Sequence, residues 1–264
     1  MLNLGKKLLK KFLDLVGLEI HRKGQAIAQI HRTSMRGCLQ QARQNGLKPK
    51  TVIDVGAAKG THPLYEVFPE ARHILIEPLE EYIPHLKSLV DKLDKAEYII
   101  AAATATPGNV IINVHPDLLG SSLYKEEEDS DVNGVERAIP GMTLDSICSE
   151  RGTEGPYLIK IDTQGSELEV LKGAQSVLQD TDFVILEVSF FEFFKGGPQV
   201  YDCMTFMKER GFVVYDIFDF EYRLLDGAMS QTDIAFVRES SQLRTYHFYA
   251  TREQRIEKTK QLLS

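Results

Sequence analysis

Tryptophan is absent from the 264 residues, and cysteine occurs only three times, at Cys38, Cys148 and Cys203. The three are far apart, odd in number and without paired metal-ligand spacing. That excludes a disulfide framework and a zinc ribbon, and it reads as reduced thiols in a reducing compartment. No run reaches the ~18 apolar residues of a membrane span. No small-residue cleavage site follows a long apolar core at the N-terminus, so the expected location is cytoplasmic. Positive charge is in deficit: 31 Lys and Arg against 38 Asp and Glu leave a net charge of -7. A phosphate backbone selects basic surfaces, so general nucleic-acid binding is not expected. Two nucleotide fingerprints are also missing. No G-x-x-x-x-G-K-[ST] occurs, which excludes a P-loop, and Gly56-Ala-Ala-Lys-Gly60 lacks the middle glycine that a dinucleotide-binding G-x-G-x-x-G needs.

What is present is an alternation of strands and helices. Thr51-Val-Ile-Asp-Val-Gly-Ala-Ala-Lys-Gly-Thr61 reads as a buried first strand, its turn and the start of a helix. Gly56 and Gly60 stand where a side chain would keep a ligand from the backbone. Asp54 places a carboxylate at the mouth of that strand. His73-Ile-Leu-Ile-Glu77-Pro78 is a second strand ending in an acid, about twenty residues after Gly56, the spacing at which a βαβ unit offers a carboxylate to ribose hydroxyls. A helix over 82–93 and a third strand over 97–103 follow; the alanines ending that strand mean tight sheet packing or room for a flat base. Tyr157-Leu-Ile-Lys-Ile-Asp162-Thr-Gln-Gly165 repeats the opening design before a helix over 166–178. Strands over 183–189, 212–218 and 233–237 complete the pattern, with a helix over 200–211. This is an α/β fold with a mostly parallel sheet covered on both faces. The last two strands, joined around Asp226-Gly227, predict an antiparallel hairpin at the edge.

Around this unit, residues 1–48 read as a helical extension, 49–240 as the main domain with an insertion at about 107–145, and 241–264 as a helical tail. Within the extension, 2–18 is an amphipathic helix whose lysines share one face. The favoured reading is a helix packed on its own domain; the alternative is a weak contact with a membrane surface or a partner. The insertion contains the acidic stretch Glu126–Asp131, a solvated loop or a lid. Phe190-Phe-Glu-Phe-Phe194 offers rings either to an acceptor or to loop packing. Thr143-Leu-Asp145 has helix-capping chemistry.

Asp54, Glu77, Asp162 and Glu187 all fall at or near strand ends, where open α/β sheets bind ligands. Several acids gathered there suit a cofactor that carries both a ribose and a cation. Asp54-Val-Gly-Ala-Ala-Lys-Gly60, Glu77-Pro78, Ser121-Ser122-Leu123, Thr143-Leu144-Asp145 and above all the run from Leu158 to Ala174 (LIKIDTQGSELEVLKGA) resemble the FkbM family of S-adenosylmethionine-dependent methyltransferases. The likeness spans roughly 51–238. It implies a Rossmann-like class I methyltransferase domain that methylates hydroxyls of sugars or natural products. By this resemblance Asp54, Gly56 and Gly60 line the methionine and ribose part of S-adenosylmethionine and Glu77 holds the ribose hydroxyls. Ala57, Pro78, Ala103 and Ser122 complete the candidate cofactor shell. Asp162 is the candidate catalytic base, with His62 and Glu167 behind it, or else it is a capping or cofactor-amine contact. No metal site is expected. Ala58 stands where many methyltransferases have a third glycine, and Gln164 where many family members have an acid. The other readings are a non-catalytic binding or docking protein on the same fold, and a nicotinamide oxidoreductase, disfavoured by its incomplete glycine fingerprint.

Overall fold

The computed structural model describes residues 32–127 and 131–263. The predicted amphipathic helix over 2–18 lies outside them. The described elements belong to one compact unit, Thr33–Ser264. It opens with α1 (Met35–Gln44), capped by the Ser34 hydroxyl, which accepts from the Gly37 N–H. Helix α1 buries Met35, Cys38, Leu39 and Ala42 in the same core as the sheet.

The main sheet contains β1 (Thr51–Val55), β2 (Arg72–Glu77), β3 (Ala96–Ile100), β7 (Tyr157–Ile161), β8 (Thr181–Ser189), β9 (Phe212–Phe218) and β10 (Gln231–Arg238), in the order β3-β2-β1-β7-β8-β10-β9. β1 pairs in parallel with β2 and β7, and β8 with β7. β10 is antiparallel to both its neighbours. The edge hairpin is therefore present, but its reversed strand is inserted between β8 and β9, and the outermost strand runs with the rest. All five residues of β1 and of β7 are buried, as strands covered on both faces must be.

Helices α2 (His62–Val67), α3 (Ile83–Val90), α4 (Leu144–Arg151), α5 (Glu167–Lys172), α6 (Gln175–Gln179) and α7 (Val200–Glu209) cover the sheet. Successive residues of β1 enter different cores: Val52 joins Leu39, Phe68 and Leu158, while Ile53 joins Val170, Leu171 and Met207. Burying each such aliphatic side chain contributes about 1.5–3 kcal/mol. The one helix expected over 166–178 is two. Gly173 stands at the break, where a Cβ would lie 2.1 Å from the Thr104 carbonyl oxygen. Asp145 restarts it by accepting the N–H groups of Ser176 and Val177.

The third strand of the sequence pattern also divides. β3 stops at Ile100, and β4 (Ala102–Ala103) pairs with β6 (Val135–Met142), which pairs with β5 (Gly108–Val114) in a second, three-stranded sheet. The insertion is thus built on its own small sheet. The tail carries α8 (Arg252–Leu263), which buries no residue. All three cysteines are buried and outside disulfides. No helix among the described residues is long and apolar enough to cross a membrane.

Candidate active site

The strand order reverses between β1 and β7, and a crevice opens outside the carboxyl ends of strands at such a switch point. Here it holds a cavity of about 430 Å³, within the usual range for small-ligand sites. One wall is Glu77, Pro78 and Leu79 after β2 with Ala101–Ala103. Ser121–Leu123 of the insertion, the turn Asp162–Gln164, and Glu187, Glu221 and Gln231 from the far strands close the rest.

The first turn is organised by Asp54, which is fully buried and does not line the cavity. Its carboxylate accepts the Thr61 N–H at 3.1 Å, the Thr61 hydroxyl at 2.9 Å and the Tyr65 hydroxyl. It therefore shapes the loop from beneath. Gly56 does line the cavity, but its lack of a side chain answers to the protein: φ is +74° and a Cβ would meet the Asp162 carbonyl. Gly60, at φ +98°, packs against Leu89 and Tyr65 outside the cavity, and the buried Ala57 does not line it either. Ala58 adopts the left-handed φ of +45° that a glycine would take more easily, and its N–H donates to Glu77 Oε2 at 2.8 Å.

Glu77 receives a second backbone donor, the Leu79 N–H, on Oε1 at 2.9 Å. Burial outweighs both bonds and pushes its carboxyl up to about 7. Pro78, Ala103 and Ser122 share the cavity with it. The Ser122 hydroxyl donates to the Gln164 carbonyl at 2.6 Å, tying the insertion to the β7 turn.

At the end of β7 a buried polar cluster gathers. Lys160 is buried inside the strand, and its Nζ lies 2.7 Å from Asp162 Oδ2. Burial opposes the charge on both partners, yet their attraction prevails: Asp162 is held below the usual carboxylate range and Lys160 above the usual amine range. Gln164, at φ +52°, donates from one nitrogen to Asp162 Oδ1 and to Glu187 Oε2, each at 2.9 Å. Gln231 adds a second donor to Glu187 Oε2 at 2.8 Å. Burial, and then the neighbouring Asp162, push Glu187 well above the carboxylate range.

Asp162 is thus in the cavity, while His62 and Glu167, the next candidates for the base, do not line it. His62 is exposed on the first turn of α2, edge-on to Tyr65. Glu167 is buried and spends Oε1 on the N–H groups of Thr163 and Gly165 and the Thr163 hydroxyl, which fixes the turn before α5. The aromatic run packs away from the cavity. Phe194 is buried against Gly165, and Phe191 stacks under the Arg223 guanidinium at 4.2 Å. Lys160, Gln231 and Glu221 belong to the site without having been singled out in the sequence. Only the lysine gave a signal, a lone charge in an apolar strand.

A family model described as "Methyltransferase FkbM domain" matches residues 54–214. A 2-O-methyltransferase, NoeI, from Sinorhizobium fredii is 28% identical over 166 residues, which is 56% of this chain and 68% of that protein. Among solved structures, a precorrin-6y C5,15-methyltransferase from Geobacter metallireducens superposes with a TM-score of 0.43 at 11% identity, over 81% of this chain and 93% of the other. Magnesium protoporphyrin IX methyltransferase (ChlM) from Synechocystis PCC 6803 gives 0.43 at 11% identity, over 88% and 96%.

Proposed function

The chain belongs to the FkbM methyltransferase family, and we propose that it transfers the methyl group of S-adenosylmethionine to a hydroxyl of a sugar, glycan or small natural product. The observation that carries this reading is the charge of the cavity. Among the described residues its lining holds Glu77, Asp162, Glu187 and Glu221, and no lysine, arginine or histidine. Such a lining suits a sulfonium cation and opposes a pyrophosphate, which needs helix N-terminal or basic donors. The nicotinamide reading is therefore not retained.

The residues present fit the adenosyl group. Ile76, Leu79 and Ala101–Ala103 give an apolar wall of small and flat surfaces for a base. Each Glu77 oxygen keeps acceptor capacity beyond its one backbone donor, which suits ribose hydroxyls. Asp162, held anionic by Lys160, keeps a carboxylate on the cavity wall. When bound, S-adenosylmethionine supplies an electrophilic methyl group on a sulfonium and a neutral thioether as leaving group.

Glu187, Glu221, Gln231 and the insertion segment Ser121–Leu123 form the part of the cavity assigned to the acceptor. Carboxylates and amides there accept and donate to hydroxyls. An oxygen acceptor is also supported by the 2-O-methyl transfer named for the Sinorhizobium relative. Residues 49–240 carry the chemistry on this reading, with the insertion selecting the acceptor. Alignment of the acceptor oxygen can supply on the order of 7–11 kcal/mol, and a positioned base a further factor of about 10²–10⁴.

Thermal unfolding with S-adenosylmethionine, S-adenosylhomocysteine and NAD tests the cofactor. A ligand at about 100 times its Kd adds ~2.7 kcal/mol, expected for the two adenosyl compounds alone. Stabilisation by NAD without either would overturn the reading. Transfer of labelled methyl to a panel of neutral sugars, amino sugars and their methyl glycosides tests the acceptor class, and labelling confined to the amines would exclude a hydroxyl.

A further inference from the structure

We propose that Glu187 takes the acceptor hydroxyl's proton, and that the charge in the cavity decides whether it is ready: it is neutral without a cation beside it and ionised when one is present. The proposal rests on the cofactor reading above and assigns the proton's path within that site.

The two carboxyl groups share a hydrogen bond, Glu187 to Asp162, but their other partners set them apart. Asp162 has a donor on each oxygen, Lys160 Nζ on Oδ2 and Gln164 Nε2 on Oδ1, and one of them is a buried ammonium. Its charge is fully answered by the protein, which makes it a poor proton acceptor. Glu187 lines the same cavity with no cation of its own, and the amides of Gln164 and Gln231 both donate to Oε2. Neither donates to Oε1.

The groups around Glu187 are Asp162 and Lys160 on β7, its register partner Asp233 on β10, and Glu167 on α5. One ammonium thus stands among four carboxyl groups besides the two glutamines. A low-dielectric site cannot hold that many negative charges, so at least one proton stays. Glu187 keeps it, consistent with its strongly raised affinity for protons.

A cation entering the cavity replaces that proton electrostatically, and Glu187 releases it to water. The ionised carboxylate then accepts the proton of the acceptor hydroxyl while the acceptor oxygen bonds to the methyl carbon. The electron pair of the broken C–S bond remains on sulfur. Positive charge leaves the sulfur in the step that returns a proton to Glu187, so the cavity's net charge is unchanged by the transfer. Gln164 and Gln231 are positioning residues here, since they fix the carboxylate plane.

Isothermal titration calorimetry of the full chain at pH 7 in phosphate and in Tris, buffers of unlike ionisation heat, counts the protons exchanged on binding. S-adenosylmethionine is expected to release close to one proton per site and S-adenosylhomocysteine, which has the same amino acid and adenosine but no positive sulfur, close to none. Glu187→Gln should abolish the difference, weaken S-adenosylmethionine binding by about tenfold because the ionised carboxylate no longer faces the cation, and leave S-adenosylhomocysteine binding within about threefold, and Glu187→Asp should restore part of it. Equal proton counts for the two compounds in the wild-type chain would overturn the proposal, as would a release that persists in Glu187→Gln. Because the wild-type comparison needs no variant, a poorly folded Glu187→Gln does not spare the proposal. Failure of both compounds to bind would instead overturn the cofactor reading itself.

Discussion

The carbonyl oxygen of Asp162 occupies the place that a side chain on Gly56 would need: a Cβ built there would lie 1.7 Å away. The two residues follow adjacent parallel strands, and the Asp162 N–H donates to the Val55 carbonyl at 3.0 Å. Gly56→Ala must therefore separate β1 from β7 as well as strain a φ of +74°. A loss of at least ~3 kcal/mol is expected. Gly60→Ala meets the movable end of Leu89 instead, and should cost less. Urea unfolding of both variants checks the order; a Gly56→Ala protein within 1 kcal/mol of wild type would contradict it.

Lys160→Met removes the one ammonium beside Asp162 and leaves a buried carboxylate unanswered. Breaking such a pair costs about 3–5 kcal/mol near neutrality. Asp162 has a lowered folded-state pKa, so its stabilising effect is present above the unfolded value near 4 and is lost as pH falls through the folded one. The gap between wild type and Lys160→Met should be widest at about pH 7 and narrow towards pH 3. Denaturation midpoints across that range decide it, and a gap independent of pH would exclude the electrostatic cause.

Asp233 behaves in the opposite sense. Burial first, offset in part by Lys160, pushes its carboxyl up to about 7. The folded state then binds the proton more tightly than the unfolded one, so this stabilisation is complete below about pH 4 and disappears as pH rises to 7. Asp233→Asn should leave the ligand-free protein unchanged near pH 4 and stabilise it by roughly 4 kcal/mol at pH 8. Thermal melts at both values test this, and destabilisation at pH 8 would refute it.

Asp145→Ala deprives the N–H groups of Ser176 and Val177 of their acceptor. A loss of about 1–2 kcal/mol follows from uncapping α6. Affinity for S-adenosylmethionine should stay within about twofold, because Asp145 does not line the cavity; a large fall in affinity by calorimetry would place it nearer the site.

Much of this was legible in the sequence wherever a strand is apolar and ends in an acid. Glu77 and Asp162 were found that way, and they stand in one cavity. Asp54 satisfies the same pattern and yet turns under the loop, because Thr61 and Tyr65 supply its donors from residues already in the turn. Gly56 was conspicuous for the wrong reason: its constraint comes from a strand a hundred residues away, which local spacing does not reveal. Gln231 was invisible, since its bond to Glu187 depends on β10 inserting between β8 and β9. β6 was hidden by Pro140, Gly141 and the charges on its exposed face. β4 pairs only with Gly141 and Met142, so at Pro140 one side of β6 is a free edge, where a proline is tolerated.

Ala103 and Met142 are partners in β4 and β6, and the Thr104 N–H donates to the Met142 carbonyl at 2.8 Å. The excursion between them therefore leaves and rejoins the fold at a single doorway. With its ends already joined, doubling such a loop costs only about 0.6 kcal/mol. A change of length in that excursion therefore carries a small entropic cost and leaves the alanine wall beside Glu77 in place.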